Sequence, residues 1–277
     1  MKKSIYILLL ALSFCSCEDV IDLETPTGEP QLNIDAHFRV YTQESPVRTE
    51  GFIKITESVN FFDDNIPSIS NAEVSLTERG TTNTYSFTEI NENSGVYVTN
   101  DLSFINNFDA TFDLNISIDG ETYTSSAQLI SSTPIVDIKQ GDLEIFGEED
   151  IEIIVSFLDP ADTENFYLFD FEFNLYVPVR DQFFNGNTFE FSYLYTDDDS
   201  SDLKPGDQIS ISCEGIDQQF YNYIELLLEQ VQDGGPFSSP PATPRGNIIN
   251  PEDSKQNPLG YFRISEVYTK DFTIEED

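Results

Sequence analysis

The stretch FDLNISIDGETYTSSAQL, residues 112–129, carries the strongest structural signal in the chain. Phe112, Leu114, Ile116 and Ile118 alternate with polar residues, which is the period of a strand with one buried face. Asp119-Gly120 follows, and Tyr123 resumes the apolar register. Asp-Gly takes positive φ at low cost and matches the twist of the flanking strands, so a tight hairpin is expected here.

The same period extends outward. QLNIDAHFRV (31–40) alternates polar and apolar residues. YVPVRDQFFNGNTFEFSYLY (176–195) predicts a second hairpin turning on Asn185-Gly186, with Pro178 placing one strand at a sheet edge or bulge. One segment breaks the pattern. In DQQFYNYIELLLEQVQDGG (217–235), Phe220, Tyr221, Ile224, Leu227, Leu228 and Val231 recur at helical spacing. Asp217 is placed to cap the N-terminus and Gly234 to end the helix. A helix over about 217–233 is therefore expected, its apolar stripe packed on a core. Short strands with regular turns point to an all-β protein of two β-sandwich domains, with a boundary near Ser132–Asp137. The expected layout is a signal at 1–17, a tether at 18–30, one sandwich at 31–133 and a β-rich domain with the helix at 134–277.

The N-terminus reads as an export signal. Lys2 and Lys3 precede an apolar run from Ile5 to Phe14, and Ser16-Cys17 follows. That run is about half the length a bilayer core requires, so it is a signal peptide and not an anchor. A small residue before cysteine is what lipoprotein processing needs. Cys17 is therefore expected to become the lipidated N-terminus, and Cys15, which follows Phe14, to leave with the signal. A redox or zinc reading wants C-x-x-C in a folded context, which C-x-C here is not. Cys213, flanked by Ile211 and Ile216, reads as a buried small hydrophobe.

Loss of the signal leaves 11 basic against 51 acidic side chains. Such a balance excludes nucleic acid as a partner, because phosphate binding needs clustered cations. It equally excludes electrostatic adsorption to an anionic membrane, so contact with the membrane falls to the lipid. The 23 Phe and 13 Tyr supply ample core and separate the chain from disordered acidic sequences.

Little of the sequence speaks for catalysis. The single histidine, His37, lies on a predicted strand with no G-x-S-x-G elbow elsewhere, which is weak support for a triad. One histidine and one cysteine in the folded part cannot build a His-rich zinc site. No cofactor is expected. Calcium is the better metal candidate, at Asp63-Asp64-Asn65, at Asp159 with Asp162 and Asn165, or at Asp197-Asp198-Asp199. None of the three has the spacing of a calcium-binding loop, and each reads more simply as a solvated loop. The segment GGPFSSPPATPRGNIINPEDSKQNPLG (234–260) is long for a loop in a compact domain, which often marks function. Its prolines restrict the backbone, Phe237 offers an apolar anchor, and Arg245 is a rare cation in an acidic chain. Phe237 and Arg245 are therefore the candidate partner-binding residues.

Several stretches resemble one known family. SCEDVIDL and GEPQLNIDA at the start, then NAEVSLTERG, SGVYVTND, DGETYTSSA and TPIVDI in order, then FLDPADTENFYLF, and finally FYNYIELLLEQVQDGGPFSSPPATPRGNI with NPLGYFRISEV, together span nearly the whole mature chain. They resemble the Bacteroidota lipoproteins of domain of unknown function 4249. The resemblance implies an outer-membrane lipoprotein facing the cell surface, with its gene near that of a TonB-dependent transporter. It also implies that the first half resembles the small immunoglobulin-like sandwich of carboxypeptidase-regulatory-like domains. It carries no catalytic residues to this chain. Two function classes follow as expectations: a non-catalytic accessory that binds a TonB-dependent transporter or its cargo, or an adhesive or structural surface protein. A hydrolase is a distant third.

Overall fold

The computed structural model describes residues 29–60, 63, 65–142, 151–161, 163–182, 186–195, 203–231 and 244–276. The hairpin that opens the argument above is present. Strands β6 (Thr111–Ile118) and β7 (Glu121–Ile130) pair in register from Ile118↔Glu121 to Thr111↔Gln128. Asp119 and Gly120 turn between them at φ of 51° and 92°. Phe112, Leu114 and Ile116 are buried in one core, as their alternation requires.

That core is the inside of a closed barrel. Five further strands precede the hairpin: β1 (Leu32–Tyr41), β2 (Arg48–Glu57), β3 (Glu73–Glu78), β4 (Thr84–Glu89) and β5 (Val96–Val98). They run in the order β1-β2-β5-β4-β3-β6-β7. The last strand of the chain, β14 (Leu259–Thr273), then pairs parallel with β7 and parallel with β1, and the ring closes with eight strands. Ile34, Ala36, Phe38 and Val40 of β1 and Phe262 and Ile264 of β14 point inward with the hairpin residues.

The second half is a β extension of two layers. β8 (Ile135–Gln140), β9 (Ile151–Leu158) and β12 (Thr188–Tyr195) form a three-stranded sheet. β10 (Phe166–Asp170), β11 (Tyr176–Arg180) and β13 (Gln208–Ile216) continue the large sheet past β14 in the order β14-β13-β10-β11. Aromatic residues fill the space between the layers: Phe169 and Phe191 lie 4.9 Å apart edge to face, and Phe171 stacks on Tyr193 at 4.9 Å. Cys213 is a packing residue there, fully buried, and burial pushes its thiol up to about 12.

The expected two sandwich domains are therefore replaced by a closed barrel, whose strand β14 continues into β13, β10 and β11, and a smaller three-stranded sheet packed on that extension. Alternation reports that a strand has one buried face, and a sandwich and a barrel satisfy that equally. What separates them is whether the sheet edges meet, and here they meet through β14. The chain does leave the barrel between Ile130 and Ile135. Yet Leu259–Glu266 pairs with β1 and the remainder of β14 with β13, so one strand serves both parts.

The second expected hairpin is also corrected. β11 pairs with β10, and β12 with β9, so the strands beside Asn185-Gly186 lie in different sheets. Asn185 itself lies outside the described residues. Pro178 does mark an edge, since β11 ends the large sheet. The turn between β10 and β11 is made by Glu172, Phe173 and Asn174, all at positive φ.

Helix α1 (Gln218–Val231) follows β13 directly. The Asp217 carboxylate accepts the Phe220 N–H at 2.7 Å, the cap expected from the sequence. The expected stop at Gly234 lies outside the described residues. No helix among the described residues is long and apolar enough to cross a membrane.

Candidate binding cleft

Strand alternation places four polar side chains of β1 on the outside of the barrel: Asn33, Asp35, His37 and Arg39. On an isolated barrel they would face water. Here the extension folds back over them, because β14 leaves the barrel and carries β13 and β10 alongside. On those two strands, Tyr167, Phe169, Ile209, Ile211 and Cys213 face the aromatic core. Their alternates face the barrel, which brings Leu168, Asp170 and Glu214 opposite β1. Helix α1 roofs the space with Phe220, Tyr223, Ile224 and Leu227, a stripe at i, i+3, i+4 and i+7. The result is a cleft of about 460 Å³, within the size range of small-molecule sites.

The floor is an ion triad. Glu214 is buried between two arginines: Arg263 Nη1 donates to its Oε2, and Arg39 Nε stands 2.9 Å from its Oε1, with the N–H directed off that oxygen. Arg39 Nη2 donates to Ser212 Oγ at 2.7 Å, and the Arg263 guanidinium lies 4.8 Å from the centre of the Phe220 ring. Burial opposes the charge on Glu214, yet the two guanidinium groups outweigh it and hold its pKa below the usual carboxylate range. Along β1, Asp35 Oδ1 lies 3.3 Å from His37 Nδ1. Burial opposes the charge of Asp35 as well, and His37, Arg263 and Lys54 together pull its pKa down. Asp170 differs. Burial dominates there and raises its pKa. At the far end Tyr261 packs edge to face on Phe220 at 4.9 Å and donates to Asp217 at 3.1 Å.

The backbone at this end allows one residue type. Gly260 has φ of 98°, and a Cβ there would stand 2.0 Å from the Ile34 carbonyl oxygen. The strands of the closing seam approach each other only because that side chain is missing.

The candidates from sequence reading are scattered by the fold. Cys17 and Phe237 lie outside the described residues. Arg245 is exposed, and the segment after it is a strut. Asn247 pairs its side chain with the backbone of Phe262 at 2.7 and 2.8 Å, Ile248 enters the barrel core, and Ile249 bridges to Thr124. This strut fills the gap between β7 and β14, which pair directly only at Ile264↔Leu129 and Ser265↔Ile130. Of the calcium candidates, Asp63 and Asn65 are exposed, while Asp64, Asp162 and Asp197-Asp198-Asp199 lie outside the described residues. Asp159 is buried, accepting from the Tyr167 hydroxyl at 2.6 Å and from Gly186 N–H at 3.2 Å. Among the described residues no three His, Cys, Asp or Glu side chains gather as a metal site.

His37, which sequence reading set aside, is in the cleft wall. Arg39, Asp170, Glu214 and Arg263 were not singled out at all. One signal was available. The polar face of QLNIDAHFRV holds the only histidine and one of few arginines at alternate positions, which marks an outer face that is something other than solvated acid. No such signal exists for Glu214 among so many carboxylates.

The cleft thus lies beside a closed barrel, with Glu214 between two arginines on its floor and aromatic residues overhead. The chain belongs to the family described as domain of unknown function (DUF4249), whose model matches residues 18–271. Comparison with curated proteins gives no match.

Proposed function

We propose that this protein is a non-catalytic binding protein, held at the outer membrane by lipid on Cys17, which serves a TonB-dependent transporter or its cargo. The observation that supports a binding role is the cleft: two of its walls are built from separate parts of the fold, and its buried carboxylate, Glu214, is held between two arginines. Among the described residues no serine, threonine or cysteine lines it beside His37, so a Ser–His or Cys–His pairing has no hydroxyl or thiol partner there. The transporter contact is assigned to Phe237 and to exposed Arg245, and the cargo contact to the cleft.

Crosslinking in intact cells followed by recovery of the protein tests this reading. A single stoichiometric β-barrel partner is expected. Recovery should fall when Phe237 and Arg245 are both replaced by Ala at unchanged melting temperature. Attachment of the protein to cells or matrix with no such partner would overturn the assignment.

A further inference from the structure

The cleft is selective by charge, and this inference rests on the reading of it as a ligand site. We propose that its ligand is a neutral polyhydroxylated molecule, a carbohydrate of one or a few rings.

Arg39 and Arg263 are the cations of the cleft, and both are committed to Glu214. An anionic ligand would therefore have to compete with a buried carboxylate for each of them. A cationic ligand would meet Asp35 and Asp170, but with two guanidinium groups beside them. Removing a charged ligand from water is costly unless a charge of opposite sign awaits it; both cations are shared with Glu214, and Asp170, which has no ion-pair partner among the described residues, lies in the field of the same two guanidinium groups. Hydrogen-bonding capacity, in contrast, remains. An arginine has five N–H donors, and those of Arg39 named here use only part of the set. The second oxygen of Asp35 and the amide of Asn33 add acceptors and donors on the same wall. Donors and acceptors thus alternate along β1, which suits hydroxyl groups, since each hydroxyl both donates and accepts.

The opposite wall is of another kind. Phe220, Tyr223, Ile224 and Leu227 of α1 offer apolar and aromatic surface, continued by Tyr261. A pyranose ring has a C–H face and a hydroxylated rim, so it would meet both walls at once. The chain holds no Trp. Tyr223 and Tyr261, with ring centres 5.3 Å apart, supply aromatic surface without it.

An array of neutral oligosaccharides, matched uronate and sulfated oligosaccharides, amino acids and polyamines tests the proposal on the full chain. Binding should be confined to the neutral sugars. Hydrogen exchange on the unmodified protein should then slow in the peptide covering Asn33–Arg39. Tyr223→Ala and His37→Ala remove one group from each wall, and each should weaken binding at least tenfold with the melting temperature held. Binding of a charged ligand that these variants abolish would overturn the carbohydrate assignment and leave the cleft as the binding site. Neutral-sugar binding without protection of Asn33–Arg39, or unchanged in both variants, would place the site elsewhere and overturn it too. Failure of every class to bind would remove both this inference and the cargo role of the cleft.

Discussion

Single residues carry the electrostatics of this protein. Glu214 is the counter-charge that two arginines share, so replacing it with Ala would leave both, buried in part, without it. Breaking a buried pair from one side costs about 3–5 kcal/mol, and Glu214→Ala should lower the unfolding free energy measured in urea by that much. Replacement of Arg39, Glu214 and Arg263 together by apolar residues should cost less than Glu214→Ala alone. A second buried carboxyl acts through pH. Asp181 is buried, its Oδ2 lacks a hydrogen-bond partner, and burial together with neighbouring Asp159 raises its pKa to about 6. A carboxyl whose folded pKa lies above its unfolded value favours folding in its protonated form. That contribution is full below about pH 4 and is lost as pH rises through about 6, at most roughly 3 kcal/mol in all. Asp181→Asn keeps the neutral form at every pH. Relative to the parent, its stability should be similar at pH 4 and higher at pH 7.5, as urea unfolding at the two values would show. An equal difference at both would contradict the assignment. Cys17 belongs to the same scale. Cys17→Ser should release the protein from the outer-membrane fraction, and an unchanged distribution on fractionation would exclude lipid anchorage at that residue.

Elements show why local signals succeeded in some places and failed in others. The 119–120 turn was legible because its whole cause, a positive-φ pair between two alternating strands, lies in about 18 residues. The helix was legible for the same reason, its period and its Asp217 cap both being local. The stripe was expected to pack on a core, and Phe220 with Tyr221, Tyr223 and Ile224 does so; what the sequence did not show is that Tyr223, Ile224 and Leu227 also stay partly exposed over the cleft. The 185–186 signal failed because a Gly-containing turn also serves a crossover between two sheets, and pairing is decided by the neighbours each strand finds. Two glycines give a direct comparison. Gly120 and Gly260 both have positive φ, but a Cβ on Gly120 meets nothing within 4 Å, whereas one on Gly260 meets the Ile34 backbone. Gly120→Ala should cost about 1 kcal/mol for the backbone conformation alone. Gly260→Ala should cost clearly more, because the atom it strikes belongs to a paired strand. Equal losses on chemical denaturation would mean that the seam yields freely.

At the scale of the molecule, β14 is the decisive strand. It closes the barrel, passes into the extension and supplies Arg263 to the cleft on the way. A fragment covering 29–133 would lack it, leaving β1 and β7 as open edges. Such a fragment should be poorly folded or aggregated, giving a collapsed amide proton spectrum, even though it holds seven of the eight barrel strands. A well-dispersed spectrum would show that the barrel does not depend on its last strand. The sequence by itself determined the all-β class, the 119–120 hairpin, the capped helix, the edge position of Pro178 and the burial of Cys213. Each follows from contacts close in the chain or from a side chain's preference for water or oil. Only the tertiary structure decided that the sheet is a closed barrel, that β11 and β12 part company, and that His37, Arg39, Glu214 and Arg263 face one another. Barrel closure and the meeting of Arg39 with Glu214 depend on partners more than a hundred residues apart, and β12 pairs with β9 and not with the strand just before it. An alternating strand shows which of its faces is buried, but it carries no mark of which distant strand will cover it.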